Sequence, residues 1–430
     1  MKSQGNSRTK PLYEQVIQIV QTLRNAGYKA YFAGGAVRDQ IRGIIPTDYD
    51  IATSAKPNEV LALFPQAIPV GVAFGVVLVP LSKSYPKGKR DQVEIATFRS
   101  DGFYRDGRHP ESVLFSEEKE DALRRDFTIN GMFFDPLENK LIDYVGGKED
   151  LKARVIRTIG DPEHRFKEDS LRIIRAVRFA AQFSFQIESR TLEMIGRMAE
   201  SIRNVSWERI RDELGKIITG PDPVRGLNLL EESGILKVIL PELIPLNESS
   251  LLHKTIACFN HIKGPSLELA FAILLHRIED SHLINSICDR LKLSRAQSDK
   301  VKSMIGDLPK FTENRNKGEA QSKRFVRQSY FEDLLELYRV DSLASGETLM
   351  EWEYWVQKLQ SFKPEDLFPP VLLSGNDLIK MGYHPGPLFK KMLYNLEDLQ
   401  LEGKIKTLEE AKEQIIKGFS VKNDDPKIKI

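Results

Sequence analysis

The stretch YFAGGAVRDQIRGIIPTDYDIAT, residues 31–53, decides how the chain is read. An apolar run followed by Gly34 and Gly35 reads as a strand turning into a helix. A glycine pair there lets the backbone approach a phosphate closely, and Arg38, one turn further on, can reach the same anion. Asp48 and Asp50 flank Tyr49, and in an extended strand residues i and i+2 project to the same face. Two carboxylates so placed suit a hard cation such as Mg2+, which commonly takes one or two carboxylates plus substrate phosphates. Taken singly, the turn fits an ordinary surface arginine and the Asp pair fits a loop or a helix cap. Together they fit phosphoryl or nucleotidyl transfer on metal-bound phosphates. Glu94, in QVEIATF, lies on a later strand, where it serves either as a third catalytic carboxylate or as a strand-edge charge.

Outward from this stretch, the first 145 or so residues mix helical and strand patterns. LYEQVIQIVQTLRNAG spaces its apolar residues at helical intervals, while KAYFAGG, GVVLVPL and QVEIATF read as short strands. From about residue 150 onward DSLRIIRAVRFAAQF, SRTLEMIGRMAESI and WERIRDELGKII are helical in period, and little beyond them looks like strand. Residues 309–324, PKFTENRNKGEAQSKR, are polar and weakly patterned and read as a loop or a helix connection, and KPEDLFPP at 363–370 reads as a break. No internal repeat is visible, and VKNDDPKIKI at the end has the composition of a disordered tail.

Composition limits the possibilities further. At 430 residues the chain is too long for one core and should divide into roughly three domains. Its 63 basic and 61 acidic residues nearly cancel, so a nucleic-acid footprint has to be a local patch. Cys258 and Cys288 are the only cysteines, and neither sits in a metal-ligand spacing, which suggests buried thiols in a reducing compartment. The N-terminus carries no apolar signal region, and the longest mostly apolar run, VGVAFGVVLVPL, falls short of the ~20 residues that span a bilayer. A soluble cytoplasmic protein without membrane association is expected.

Longer strings carry a family resemblance. GGAVRDQIRGIIPTDYDIAT resembles the first signature of the class II tRNA nucleotidyltransferases, which share a fold with DNA polymerase beta and include bacterial poly(A) polymerases. RRDFTINGMFFDP at 124–136 resembles the second signature, EDSLRIIRAVRFAAQFSFQIE the helical one after it, and ERIRDELGKII the next helix. LSGNDLIKMGYHPGPLF and LEGKIKTLEEAKE resemble the tail of bacterial CCA-adding enzymes, so the likeness spans nearly the whole chain.

The resemblance implies an α+β fold: a nucleotidyltransferase head with a mixed sheet at 1–148, a helical neck with a base-selecting helix at 149–220, a helical body at 221–350 and a helical, tRNA-binding tail at 351–430. It implies untemplated addition of C and A to the tRNA 3′ end from CTP and ATP, with Mg2+ and with pyrophosphate released. By position, Gly34, Gly35 and Arg38 face the triphosphate, Asp48 and Asp50 bind the metal, Arg125 contacts the nucleotide, and Asp126 and Asn130 hold its sugar. The tRNA is gripped at its acceptor arm and TΨC region, and no obligate protein partner is implied.

Asp169, Arg172, Arg175 and Arg178 recur every three residues, which by spacing alone is also a solvated helical stripe with an Asp169–Arg172 ion pair of about a few tenths of a kcal/mol. In the resembling family the Asp and the first Arg face the incoming base. Cytosine and adenine each offer an amine donor beside a ring-nitrogen acceptor, which complements a carboxylate and a guanidinium, whereas uracil and guanine reverse that pattern. Arg175 and Arg178 are then available for phosphates.

Three further features complete the reading. The segment between the head signatures, with Gly102 and Gly107, reads as a mobile loop; the resembling family needs such an element for the final A, and its full length favours A addition. LELAFAILLHRIED resembles the HD phosphohydrolase string, but Arg277 follows His276 where a metal-binding Asp belongs, so the body is expected to be a degenerate HD-like domain without hydrolytic activity. Lys323, Arg324 and Arg327, and separately Lys390 and Lys391, are candidate tRNA patches. The rival readings are a poly(A) polymerase, a CC-only or A-only enzyme, and a non-catalytic RNA-binding protein.

Overall fold

The computed structural model describes residues 9–71, 74–81, 92–101, 113–244 and 249–419. Gly102, Gly107 and the tail 421–430 lie outside these residues. The chain forms two compact units: Met1–Ser249 with Arg290–Lys292, and Ser250–Asp289 with Leu293–Ile430.

In the first unit, helix α1 (Thr9–Asn25) buries Val16, Val20 and Leu23 and leads into β1 (Ala30–Ala33), whose four residues are all buried. The short helix α2 (Gly35–Ile41) returns the chain to β2 (Asp50–Thr53), antiparallel to β1. After α3 (Pro57–Leu63) come β3 (Ile68–Gly71), β4 (Val76–Pro80) and β5 (Gln92–Thr97). Strands β6 (Arg99–Asp101) and β7 (Val113–Phe115) form a separate antiparallel ribbon leading to α4 (Glu118–Leu123). A 3-10 turn at Thr128–Asn130 precedes β8 (Phe133–Asp135) and β9 (Lys140–Ile142). The seven-stranded sheet runs β3-β4-β5-β2-β1-β8-β9, antiparallel throughout except for the parallel β2–β5 pair, so the expected mixed sheet is present.

Helical structure takes over with α5 (Gly147–Ala153), α6 (Pro162–Glu168), α7 (Leu171–Phe183), α8 (Ser189–Arg197), α9 (Trp207–Ile218), α10 (Pro223–Glu232) and α11 (Ile235–Ile239). Two two-residue strands, Val155–Ile156 and Gln186–Ile187, pair in parallel among these helices, a small sheet that the helical pattern concealed. Gly147 opens α5 against the 3-10 turn: a methyl added there would collide with the Thr128 carbonyl and with Met132. That close approach fixes the turn that carries Asn130.

The second unit is helical throughout its described residues. Its central helix Leu267–Leu275 is buried along its length from Leu269. Residues 309–324 prove to be largely helix, Lys310–Arg315 followed by Glu319–Val326, where the sequence suggested a connection. Phe311 and Phe325 explain the difference: both are buried and pack edge to face at 5.1 Å, a tertiary gain that overrides a weak local pattern. Pro364 likewise starts a short helix, Pro364–Leu367, at a first-turn position that tolerates proline.

Candidate active site

The C-terminal end of β1 and the start of β2 lie side by side, with Ala33 the register partner of Asp50. Gly34 leaves β1 with φ 66°, in the left-handed region that glycine enters without steric cost. It also stands against Arg125, whose Nη1 would lie 3.4 Å from a methyl placed on Gly34. Asp48 and Asp50 are exposed while Tyr49 between them is buried against Phe32, ring centroids 4.9 Å apart, so the alternation puts both carboxylates on the open side.

Behind these groups runs a continuous chain of polar contacts. Arg38 donates from Nη1 to Asn130 Oδ1 at 2.8 Å, and from Nε and Nη2 to the Asp39 carboxylate at 2.9 and 3.1 Å, and packs over the Phe183 ring at 4.5 Å. Asn130 Nδ2 donates to Asp126 Oδ1 at 3.3 Å, an oxygen that also accepts the Phe127 N–H at 2.8 Å. The second Asp126 oxygen accepts Nε and Nη2 of Arg175 at 2.9 and 2.6 Å. Burial by itself would raise the Asp126 pKa, but the Arg175 guanidinium and these hydrogen bonds outweigh it and hold the carboxyl below its ordinary value.

The segment 169–178 is built differently from the uniform helical stripe its spacing suggested. Asp169 precedes α7, as the extended residue that ends α6, and its carboxylate accepts Nη1 and Nη2 of Arg209 on α9 at 3.2 and 2.7 Å. Arg172 pairs with Glu168, one turn back, and donates to the carbonyls of Arg165 and Arg124 at 3.1 and 3.3 Å. The Asp169–Arg172 ion pair expected from spacing is thus replaced by two separate pairs. Asp169 sits just ahead of the helix, where its Oδ1 also accepts the Leu171 N–H at 3.0 Å, so its carboxylate is taken up by that N–H and by Arg209. Glu213, also on α9 and buried, lies 2.5 Å from Arg178 Nε and 3.7 Å from Arg175 Nη1. Burial outweighs Glu213 at Arg178 and lowers its pKa, whereas at Arg175 the opposing pull of Asp126 and Glu213 outweighs burial and raises it.

One cleft of about 560 Å³ is lined by Gly34, Gly35, Arg38, Asp48, Asp50, Arg125, Asp126, Asn130, Asp169, Arg172, Arg175 and Arg178 among the residues named from sequence. Glu94 is not in the lining. It is the register partner of Asp50 on the parallel strand β5, and so projects to the same face of the sheet. Three lining residues were not foreseen: Arg124, Phe179 and Gln182. Nor were the supports behind them. Asp121, buried on α4, holds Arg124 Nε at 2.8 Å and Arg125 Nη2 at 3.0 Å, and Gln182 accepts from Arg178 Nη1 at 2.9 Å. The Arg209 to Glu213 spacing of i, i+4 was the one available sequence signal for the α9 supports.

Six arginines against four aspartates give the lining a positive balance suited to a triphosphate. The oxygen-only donor pair Asp48 and Asp50 fits a hard divalent cation, and among the described residues the lining holds no cysteine or histidine.

Known proteins match most of the chain. Residues 30–157 match the family model described as the poly A polymerase head domain, and residues 184–246 match the one described as a probable RNA and SrmB-binding site of polymerase A. A CCA-adding enzyme of Geobacillus stearothermophilus is 32% identical over 418 residues, covering 94% of this chain and 96% of the relative. The crystal structure of the Bacillus stearothermophilus CCA-adding enzyme in complex with CTP superposes with a TM-score of 0.75 at 29% identity, covering 95% of this chain and 98% of that one. A Thermotoga maritima CCA-adding enzyme complexed with tRNA shares the fold, with a TM-score of 0.63 at 22% identity over 96% of this chain and 98% of that one.

Proposed function

The chain belongs to the family of CCA-adding enzymes, and from that premise we propose how its own residues divide the work. It is a tRNA nucleotidyltransferase that adds C, C and A to the tRNA 3′ end from CTP and ATP. The observation that carries the residue assignments is the single cleft in which the Asp48–Asp50 pair, the glycine turn and Asp169 with Arg172 meet.

In this reading Gly34 and Gly35 leave room for the triphosphate, and Arg125, set against Gly34, contacts it. Arg38 acts mainly by fixing Asn130 and, through it, Asp126, next to the sugar. Asp48 and Asp50 hold the divalent cation that the family requires; we take it to be Mg2+, which supplies charge neutralisation on the phosphates. Glu94 acts on Asp50 as a neighbouring carboxylate on the same face of the sheet. The tRNA terminal 3′-hydroxyl attacks the α-phosphate in line and pyrophosphate leaves, so the protein's task is positioning and electrostatics rather than covalent chemistry.

Asp169 and Arg172 read the base. The Asp169 carboxylate, although gripped by Arg209, retains lone pairs for the exocyclic amine of C or A. Arg172 uses part of its five-donor fork on Glu168 and two carbonyls and keeps donors for the ring nitrogen. Both groups are therefore held in place before the nucleotide arrives, which lowers the cost of binding it.

The head, neck, body and tail (1–148, 149–220, 221–350, 351–430) are proposed as functional divisions, since residues up to Ser249 pack with the first unit. The tRNA acceptor arm and TΨC region would be held by phosphate and shape contacts. Lys390 and Lys391, exposed on the second unit, suit that role. Lys323, Arg324 and Arg327 do not form the patch expected of them: Lys323 and Arg324 are buried, and all three are engaged by Glu319, Glu397 or Asp398. Among the described residues no helix is long and apolar enough to cross a membrane, and we place the enzyme in the cytoplasm, where tRNA ends are matured.

The test uses tRNA transcripts ending at the discriminator base, at C or at CC, with CTP and ATP supplied separately and together. Growth by three, two and one nucleotides followed by arrest is expected. Long A tails would replace this reading with a poly(A) polymerase, and arrest after CC would restrict it to CC addition.

A further inference from the structure

The second unit holds a chemically distinct cluster that nucleotide addition does not use. Cys258, His276 and Asp341 each offer one ligand atom, and the three atoms lie within 4.8 Å of one another. His276 Nδ1 lies 2.7 Å from the Ile273 carbonyl, which can only accept, so that nitrogen carries the hydrogen. The other nitrogen, Nε2, lies 2.9 Å from Asp341 Oδ1. A ring lone pair facing a carboxylate at that distance repels it unless a proton or a cation lies between them. A histidine that donates one ring N–H to a backbone carbonyl and turns the other nitrogen toward an acid is also the arrangement seen around metal-ligating imidazoles. Cys258 is fully buried beside the pair, and His276 and Asp341 border a cavity of about 660 Å³ through which an ion could enter.

We propose that the Cys258 sulfur, His276 Nε2 and an Asp341 oxygen form a binding site for a borderline-soft divalent cation of the zinc type, gated by Arg277. The ligand set argues for this class of ion: a thiolate and an imidazole favour zinc or cobalt over magnesium or calcium, which prefer oxygen throughout. Three protein ligands with a cavity on one side leave a fourth position for water or an exogenous ligand.

Arg277 gives Asp341 a cationic partner of its own. Its Nη2 sits on the same Asp341 oxygen that faces His276, and also donates to Ser345 Oγ at 3.0 Å. The guanidinium thereby occupies the carboxylate that the ion needs. Entry of the ion displaces Arg277 from Asp341, with Ser345 still in reach. The Cys258 thiol gives its proton to solvent as the sulfur–metal bond forms. The position where the sequence departs from the HD string, Arg277, is thus the gate, and the third ligand comes from a cysteine that no motif singled out.

The experiment is a cobalt(II) titration of the full-length protein without nucleotide. The carboxylates of the head contribute no thiolate, so an intense near-ultraviolet thiolate-to-cobalt band reports this cluster alone. Wild-type protein should develop the band to saturation at one equivalent, C288S should retain it and C258S should lose it. R277A should bind about tenfold more tightly, an effect that a misfolded variant would not produce. A wild-type protein without the band, or a band that survives C258S, overturns the site. Unchanged affinity in R277A overturns the gate.

Discussion

Two arginine clusters in this molecule look alike in sequence and serve different ends. On α7, Arg172, Arg175 and Arg178 follow one another at helical spacing; on the helix Glu319–Val326, Lys323 and Arg324 are followed closely by Arg327. Both sets are paired with acids. Around α7 the acids Asp126 and Glu213 hold Arg175 and Arg178 while the helix still borders a cleft. Around Arg324 the helix Pro387–Leu401 supplies Glu397, Asp398 and the Tyr394 ring, over which the guanidinium lies at 3.6 Å, and the Leu401 carbonyl accepts Lys323 Nζ at 2.6 Å. The first cluster lines a cleft; the second clasps two helices. Arg172 and Arg178 are as buried as Arg324, so what sets the first cluster apart is the cleft it borders and not its exposure.

The sharpest way to break the comparison is to remove the reaction itself. Asp48→Ala should abolish addition of both C and A, a loss of about a thousandfold or more in rate, because it removes several kcal/mol of charge stabilisation. Residual turnover near wild type, measured by gel extension of tRNA transcripts, would take Asp48 out of the metal site.

If the Arg324 cluster is a clasp, Arg324→Ala should lower the stability of the second unit by about 1–3 kcal/mol, discounted for the partial exposure of Glu397 and Asp398, and leave base choice untouched. Thermal unfolding and a nucleotide-competition assay separate the two effects. A change in base choice with unaltered stability would reverse the distinction drawn here.

On the α7 side, Asp169→Ala should let UTP and GTP be incorporated, eroding selectivity by about 1–3 kcal/mol, or roughly five- to 150-fold. Arg209→Ala keeps the carboxylate and its Leu171 N–H contact but removes the guanidinium that orients it, so selectivity should fall less, by about 1 kcal/mol. Equal losses in the two variants would mean that Arg209 itself reads the base.

The smallest effect expected is a pH dependence. The Asp126 carboxyl is held below its ordinary value, so its stabilising contribution is complete above the unfolded carboxylate range and disappears as pH falls through the lower native value. The stability gap between wild type and Asp126→Asn, measured by denaturant unfolding, should be constant near neutrality and close below about pH 4. A gap that persists into stronger acid would show that shape rather than charge holds Arg175.

Much of the site was legible because its chemistry is local. The alternation of Asp48, Tyr49 and Asp50 needs only a strand, the Gly34 turn needs only a residue tolerant of positive φ, and the strands of the central sheet carry their own apolar signal. The order of the signatures along the chain was enough to assign the family, since long strings in sequence need no coordinates to be matched. What the chain order could not convey is which distant residue answers each charge. Asp169 is met by Arg209, forty positions later, and Arg178 by Glu213. Glu94 was brought beside Asp50 by a parallel strand pairing but kept out of the cleft lining. The basic run at 323–327 turned inward because a helix more than sixty residues later lies against it. Residue types and short spacings, which act within a turn or a strand, were therefore set by the sequence alone. Pairing of buried charges, which depends on groups brought together by packing, was decided only by the tertiary structure, because a buried ion is stable only next to a partner that folding delivers.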